Sequence, residues 1–245
     1  MNPHTTLDKM RAMRLKAMAE LYQQSLSSTV FSDVSLDDVL ATLVDTEWEA
    51  RQQRKMKALL KTAGFRQQAH PTDIDYHPDR GLDRTLMGRL LSLSFVQKRE
   101  NLIITGATGT GKSWIGQAIG RQACIMLYKT RYFMTSRFFD EAKLAKLNGS
   151  WAKLLKSIHK TPLLILDDFG LHAMDATDRQ LLLELIEARH QTASTIVCSQ
   201  IPVSGWHKLI GEGTIADAIL DRLAYTSHRL ELKGESLRKK QALYP

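Results

Sequence analysis

Residues 106 to 113 read Gly-Ala-Thr-Gly-Thr-Gly-Lys-Ser, which is a complete G-x-x-x-x-G-K-[ST] phosphate loop. The loop follows the apolar stretch 102–104 and precedes a helical pattern, the strand-then-helix context in which this motif binds phosphates. Its glycines let the backbone turn so that successive N–H groups can point at phosphate oxygens. The sequence therefore predicts a nucleotide-binding α/β domain; an ordinary glycine-rich turn is the alternative.

The residue types of the loop assign roles within it. We expect Lys112 to reach the β- and γ-phosphates of ATP and to act in catalysis, and the Ser113 hydroxyl to ligate Mg²⁺. The predicted ATP-binding set consists of the loop and one later acid: Gly106, Ala107, Thr108, Gly109, Thr110, Gly111, Lys112, Ser113 and Asp167.

A second stretch supplies the acids that ATP hydrolysis requires. Four apolar residues, 163–166, follow Pro162 and end in Asp167 and Asp168, as expected of a buried parallel strand whose carboxyl end carries ligands. We expect Asp167 to hold Mg²⁺ through water and Asp168 to orient or deprotonate the attacking water. The alternative is a strand that merely meets a solvated turn.

Two later segments add candidate catalytic residues. The β-branched run 194–198 ends in Ser199 and Gln200, either of which could sense the γ-phosphate; a polar strand end is the alternative. The amphipathic helix 216–223 presents Arg222 near its end, where it could reach a neighbouring subunit's nucleotide as an arginine finger. The alternative for Arg222 is an ion pair with Asp217 or Asp221.

The positive charge is concentrated in the nucleotide-binding part. The formal net charge is +8; residues 1–80 hold 11 basic and 11 acidic residues, whereas residues 81–245 hold 23 and 15. An excess of this kind favours nucleic acid as a partner, with phosphates as the target, and a solvated helix face is the alternative. The predicted DNA-binding residues form two groups, Lys129, Arg131, Arg137, Lys143, Lys146, Lys153, Lys156 and Lys160 in one, and Arg51, Arg54 and Lys55, with Lys57 and Lys61 beside them, in the other.

Composition excludes several classes of protein. The two cysteines, Cys124 and Cys198, lie in apolar surroundings, which favours buried thiols in a reducing compartment over a disulfide framework. Residues 1–30 lack the apolar core of a signal peptide, and no apolar run is long enough to span a bilayer. We therefore expect a cytoplasmic protein.

Apolar periodicity divides the chain in two. The first sixty residues have helical spacing, and Ser35 to Asp38 resembles a capping box that opens a long helix through Leu59. Residues 64–81 read as a linker because His70 and His77 each precede proline. We predict a helical N-terminal domain, residues 1–70, for assembly, DNA or partner contacts, and an ATPase domain, residues 71–245.

Beyond the linker, strands and helices alternate. Strand-like pieces occur at 102–105, 131–134, 163–167, 195–199 and 228–232, and helical stretches at 112–127, 136–158, 177–190 and 214–225. This alternation predicts a parallel five-stranded α/β sheet. Only 23 residues follow Arg222, too few for a helical lid domain, and Arg229 or Arg238 could replace the sensor arginine that such a lid carries.

Several segments together resemble the IstB family of transposition helper ATPases. The resemblance rests on the phosphate loop and on the segments 166–171, 199–203 with Trp206 and His207, 215–223 and 233–239, and it covers nearly the whole chain. IstB proteins resemble the helicase loader DnaC and the initiator DnaA among the AAA+ ATPases. In that clade an Asp-Asp pair is ordinary, although glutamate is commoner at the second position in phosphate-loop ATPases generally.

The resemblance implies a function beyond nucleotide binding. It implies an ATP-dependent homo-oligomer that binds and deforms duplex DNA and recruits an IstA-type transposase, with Arg222 as the finger and Ser199 or Gln200 as the sensor. A DnaC-like helicase loader that binds single-stranded DNA is the alternative. A metabolic phosphate-loop kinase is a third possibility, and the basic run 129–160 argues against it.

Overall fold

A computed structural model of the chain describes residues 3–27, 31, 34–211, 213–225 and 227–237. The chain divides into two compact units, Met1–Ala58 and Leu59–Pro245. Within the described ranges, none of the helices combines the length and the apolar composition that crossing a membrane would need.

The first unit is helical, as the sequence predicts. It contains α1 (Pro3–Ala12), α2 (Lys16–Leu26) and most of α3 (Leu36–Thr62). The Ser35 hydroxyl accepts a hydrogen bond from the Asp38 N–H, 3.2 Å, so Ser35 caps α3 at the predicted position. Buried Glu47 of α3 accepts the N–H groups of Ala17 and Met18, which satisfies two donors at the start of α2.

The second unit begins with the last residues of α3, and the proline-containing segment that the sequence predicts as a linker follows them. Two short 3₁₀ turns form there, Pro71–Asp73 and Pro78–Arg80, each with proline at its first position. Two short helices follow, α4 (Arg84–Leu91) and α5 (Ser94–Gln97), which the sequence analysis did not anticipate. The domain boundary between residues 70 and 71 stays a prediction.

Five parallel strands form the sheet within the residues that the structure describes, which confirms the predicted fold class. They are β1 (Asn101–Gly106), β2 (Thr130–Met134), β3 (Leu163–Phe169), β4 (Ser194–Ser199) and β5 (Ser227–Leu232). Their spatial order is β2-β3-β4-β1-β5, and every pair is parallel. The carboxyl ends of β1, β3 and β4 are therefore neighbours at one edge of the sheet.

Helices cover both faces of the sheet. They are α6 (Lys112–Ile125), α7 (Thr135–Leu147), α8 (Trp151–His159), α9 (Ala176–Arg189), α10 (Trp206–Ile210) and α11 (Gly213–Leu223), with a 3₁₀ turn at Val203–Gly205. Alternate residues of the central strands enter opposite cores: Ile103 and Val197 pack towards α7, α9 and α11, whereas Ile104 and Ile196 pack towards α4 and α6.

The helical stretch predicted at 136–158 is two helices. Asn148 ends α7, and Gly149 adopts a left-handed φ of 73°. The Ser150 N–H donates to the Ala145 carbonyl and the Gly149 N–H to that of Lys146, which is the Schellman pattern of a helix stop. Apolar periodicity continues through 136–158, so the sequence pattern alone did not reveal the break.

The chain continues after β5 through residues 233–237, here named the C-terminal segment. It returns to the phosphate loop, where the Leu237 N–H donates to the Gly109 carbonyl, 3.0 Å. No lid domain is evident in the part of the chain that the structure describes.

Candidate nucleotide-binding site

The phosphate loop joins the end of β1 to the start of α6, where the motif predicts it. Gly106, Gly109 and Gly111 have φ values of 150°, 83° and 94°, which favour glycine. Lys112 is buried at the first position of α6, and its Nζ donates to the Ala107 carbonyl, 2.7 Å. The loop is thus preformed, with its lysine folded against its own backbone.

Close packing also requires these glycines. A Cβ on Gly106 would collide with the Leu232 carbonyl oxygen, and one on Gly109 would lie 3.1 Å from Ser236 Cα. A Cβ on Gly111 would lie 2.9 Å from a guanidinium nitrogen of Arg80. The loop is therefore held from outside by the end of β5, by the C-terminal segment and by the 3₁₀ turn Pro78–Arg80.

Ser113 and Asp167, the two predicted Mg²⁺ ligands, are in contact. The Ser113 hydroxyl donates to Asp167 Oδ1, 2.9 Å, and the Tyr132 hydroxyl donates to Asp167 Oδ2, 2.7 Å. Burial raises the pKa of the Asp167 carboxyl, and the hydrogen bonds from Tyr132 and Ser113 oppose that rise. A cation beside Asp167 would offset the cost of its buried charge.

Asp168 adopts an unusual backbone conformation at the end of β3. Its φ is 55°, and β3 bulges there, because Asp167 and Asp168 together face one residue of β4. The bulge lets Asp167 point inward while Asp168 stays partly exposed. A cavity of about 170 Å³ adjoins Asp168 and includes Thr135 and Asp178 in its lining. Strained residues of this kind cluster at functional sites.

The structure separates the two sensor candidates at the end of β4. Ser199 is fully buried, and its hydroxyl donates to the Phe169 carbonyl, 2.7 Å, and accepts the Ile201 N–H, 3.1 Å. Gln200 is exposed, and its Oε1 accepts a hydrogen bond from the Thr108 hydroxyl in the phosphate loop, 2.7 Å. Gln200 therefore faces the loop, whereas Ser199 joins the carboxyl end of β4 to that of the neighbouring strand β3.

Arg222 lies on α11, and its guanidinium forms an ion pair with Glu187 of α9, 3.3 Å. The sequence-based alternative to an arginine finger was an ion pair of Arg222 with Asp217 or Asp221. In the structure the acid is Glu187, and Asp217 pairs with His207, 3.3 Å. The Arg222 side chain is about a third exposed, and the contacts described for it reach α9 and α11 rather than the phosphate loop of its own chain. Arg229 is exposed in β5, and Arg238 lies outside the described residues.

Several predicted DNA-binding residues are engaged within the chain. Lys143 pairs with Asp175, 2.8 Å, and Asp178, 2.7 Å, at the start of α9, and those bonds raise the pKa of its ammonium group. The other pairs are Arg131 with Glu141, Lys146 with Glu184, and Arg51 and Arg54 with Glu47.

The remaining candidates point outward. Among the described residues no ion-pair partner is found for them, and all are exposed: Lys129, Arg137, Lys153, Lys156, Lys160 and Lys55. We name Arg137, Lys153, Lys156 and Lys160, which lie on α7, on α8 and just after α8, the outward cluster.

Sequence reasoning missed three residues that support the site. Tyr132 and Thr135 both donate to Asp167, through its carboxylate and its main-chain carbonyl respectively. Arg80 reaches the phosphate loop from the predicted linker, with Nη2 3.1 Å from the Thr110 carbonyl oxygen. A hydroxyl-bearing aromatic within the apolar strand β2 was a signal for Tyr132; no local pattern marks Arg80.

Solved structures share this architecture. The crystal structure of the DnaC helicase loader aligns with a TM-score of 0.55 at 19% identity and covers 67% of this chain and 97% of that one. DnaI aligns with a TM-score of 0.57 at 21% identity, covering 68% and 92%. At such identities the likeness establishes a shared α/β fold and nothing further.

Curated relatives are closer in sequence. A Sinorhizobium fredii protein named as an insertion sequence ATP-binding protein, y4pL, is 42% identical over 238 residues, covering 97% of both chains. The protein so named for the insertion sequence IS1162 of Pseudomonas fluorescens is 35% identical, covering 81% of this chain and 87% of its own.

The family described as "IstB-like ATP binding protein" matches residues 8–244, a span that includes the phosphate loop, the acidic strand end and the C-terminal segment. Family, fold and site geometry agree that this is a nucleotide-binding chain. It belongs to the IstB-like ATP binding protein family of insertion sequences.

Proposed function

We propose that this chain is an ATP-hydrolysing AAA+ protein that assembles on duplex DNA, deforms it and recruits or stimulates a transposase during insertion-sequence transposition. One observation carries the proposal. The phosphate loop and the Asp167–Asp168 strand end meet at one edge of the sheet, in a chain whose relatives are named as insertion sequence ATP-binding proteins.

The residues at this edge fit ATP and Mg²⁺. The hydroxyl of Ser113 and a carboxylate oxygen of Asp167 lie 2.9 Å apart, and both are oxygen donors of the kind that Mg²⁺ prefers. The three glycines of the loop already adopt the backbone conformations that a phosphate cradle needs. When bound, Mg²⁺ neutralises charge that develops on the phosphate oxygens.

The chain's own residues divide the remaining work. Lys112 exchanges its contact with the Ala107 carbonyl for the phosphate oxygens, which it holds by charge-assisted hydrogen bonds. Asp168, partly exposed beside the cavity, orients a water molecule and accepts its proton as that water attacks the γ-phosphate and the bond to the leaving ADP breaks. Gln200, already paired with Thr108, reports the presence of that phosphate to β4.

Assembly follows from the position of Arg222. The described contacts of its side chain reach α9 and α11 rather than the phosphate loop of its own chain. We therefore assign Arg222 to the nucleotide of a neighbouring subunit, where its guanidinium leaves Glu187 and binds a phosphate oxygen. An interface of this head-to-tail kind can generate an open helical multimer as readily as a ring. ATP binding and assembly on DNA are then coupled.

The outward cluster is the part of the basic run that we assign to DNA. Its exposed cations can contact phosphates without first breaking an ion pair, unlike Lys143 and Lys146. Contacts of this kind bind DNA without reading its sequence. Strand cleavage and joining belong to the transposase in this proposal.

The test is equilibrium binding of fluorescent duplex and single-stranded DNA of equal length, with ATP, ADP or no nucleotide, and with Lys112→Ala as the control. We expect duplex DNA to bind more tightly with ATP than with ADP, and this ATP dependence to vanish in Lys112→Ala. A preference for single strands would instead support a helicase loader, and absence of DNA binding would refute the proposal.

A further inference from the structure

Arg80 is a buried cation that belongs to no phosphate-binding motif. It ends the 3₁₀ turn Pro78–Arg80, and only 8% of its side chain is exposed. Arginine is seldom buried to this extent unless its donors are bound. The surroundings of this guanidinium therefore indicate what it does.

Two main-chain carbonyls hold the guanidinium of Arg80. Its Nη1 donates to the Asp75 carbonyl, 2.6 Å, and its Nη2 donates to the Thr110 carbonyl of the phosphate loop, 3.1 Å. The Asp75 carboxylate lies 3.8 Å from Nη1 and keeps a negative charge beside the group. Buried Nε has no hydrogen-bond partner in the described part of the chain. Arg80 thus joins residues 71–80, here named the lead-in segment, to the loop, and one of its donors stays unsatisfied.

The guanidinium also occupies the space beside Gly111, the residue that precedes Lys112. A Cβ on Gly111 would lie 2.9 Å from Nη2, and the φ of Gly111 is 94°. Glycine at this position therefore serves the packing of Arg80 as well as the turn. Gly111 is the last residue of the loop before α6 begins.

Arg80 also contacts the C-terminal segment. The Arg80 carbonyl accepts the Lys233 N–H, 3.0 Å, and the same segment donates from Leu237 to the Gly109 carbonyl, 3.0 Å. Two consecutive residues of the loop, 109 and 110, thus have their carbonyls bonded to elements outside it. Arg80 stands where the lead-in segment, the loop and the C-terminal segment meet.

We infer that Arg80 is a positioning residue for nucleotide binding. By holding the Thr110 carbonyl outward, it keeps the N–H groups of the loop directed at the phosphates, and it acts through Thr110 without touching the nucleotide. This inference rests on the ATP binding that the proposed function requires. It assigns to the lead-in segment a part of the site that the phosphate-loop motif does not contain.

The test compares Arg80→Ala and Arg80→Lys with Arg84→Ala. Arg84 is a matched control because it lies in the neighbouring helix, is exposed and stacks over Tyr76, 4.6 Å from the ring centre. Fluorescent ADP measures affinity, ATP turnover gives KM and kcat, and thermal unfolding without nucleotide verifies folding. DNA binding is measured separately, so a failure there would refute the proposed function and leave the result on Arg80 standing.

We expect Arg80→Ala to weaken ADP binding and raise KM for ATP about tenfold, the loss for one hydrogen bond from a charged donor. The kcat at saturating ATP should stay within about threefold, because no reacting group is removed. Arg80→Lys should not restore affinity, since one ammonium cannot replace the planar fork that spans two carbonyls. Free guanidinium should restore part of the affinity of Arg80→Ala and none of that of Lys112→Ala.

Two results would overturn the inference. If folded Arg80→Ala bound ADP as tightly as Arg84→Ala does, Arg80 would be a structural residue only. If kcat fell while KM stayed unchanged, Arg80 would act on the chemical step and not on the placement of the loop.

Discussion

The phosphate loop and the basic run 129–160 were both recognised from sequence, but the side chains of the two regions are arranged differently in the structure. The loop joins β1 to α6 where the motif predicts it, Lys112 bonds to the Ala107 carbonyl within the loop, and Ser113 lies within hydrogen-bonding distance of Asp167. In the basic run, Arg131, Lys143 and Lys146 turn to acids of their own chain.

The difference lies in what each pattern constrains. The loop motif constrains backbone angles through its glycines, so its geometry follows from residue identity. A run of lysines constrains only composition, and the partners of long, flexible side chains depend on which acids the fold brings near. A spaced motif therefore predicts a site, whereas a charge run predicts only a tendency.

The largest effect we expect tests the loop side of this comparison. Lys112→Ala removes charge-assisted contacts to phosphate and should weaken ATP binding by about 100-fold or more, or about 3 kcal/mol. Titration with a fluorescent ATP analogue measures this. Wild-type affinity in this variant would mean that the motif does not work as its spacing implies.

A second prediction separates binding from chemistry within the same site. Asp168→Asn keeps the shape of the side chain but cannot accept a proton, so turnover should fall by about 100-fold while ATP affinity remains. Steady-state phosphate release and nucleotide titration together measure the two effects. Unchanged turnover would exclude Asp168 from the chemical step despite its strained backbone.

A third prediction sharpens the basic side of the comparison with two matched double variants. Lys153→Gln with Lys156→Gln removes two outward cations and should lower the salt slope of duplex binding by about 2. Lys143→Gln with Lys146→Gln removes paired cations and should leave the slope unchanged while lowering the unfolding midpoint. Equal slopes for the two variants would show that pairing in the free chain does not decide DNA contact.

The smallest expected effect concerns pH. Burial raises the pKa of Asp167 in the folded chain, so the group binds protons more tightly there than in the unfolded chain. Its contribution to stability is fully present below the pKa of the unfolded chain, about 4, and is lost as pH rises through the higher pKa of the folded chain. Without nucleotide, Asp167→Asn should gain stability over the wild type as pH rises from 4 to 7. Urea unfolding at both pH values measures this; a constant difference would contradict it.

Prediction of the fold succeeded where periodicity and turn residues agree. The five strands, the helical first unit and the cap at Ser35 follow from local patterns. The break at Gly149 was missed because the apolar period runs through it. The short helices α4 and α5 were missed because each is too brief to carry a period.

The sequence by itself determined the nucleotide-binding fold, the loop and the acidic strand end, because glycines and buried strands impose geometry locally. Only the tertiary structure decided which polar residues share the site. It placed Gln200, and not Ser199, against the phosphate loop, and it paired Arg222 with Glu187. It also brought Arg80 into contact with the phosphate loop and Tyr132 into contact with Asp167. Such contacts join residues remote along the chain, and no local spacing encodes which of them the packing of helices on the sheet will bring together.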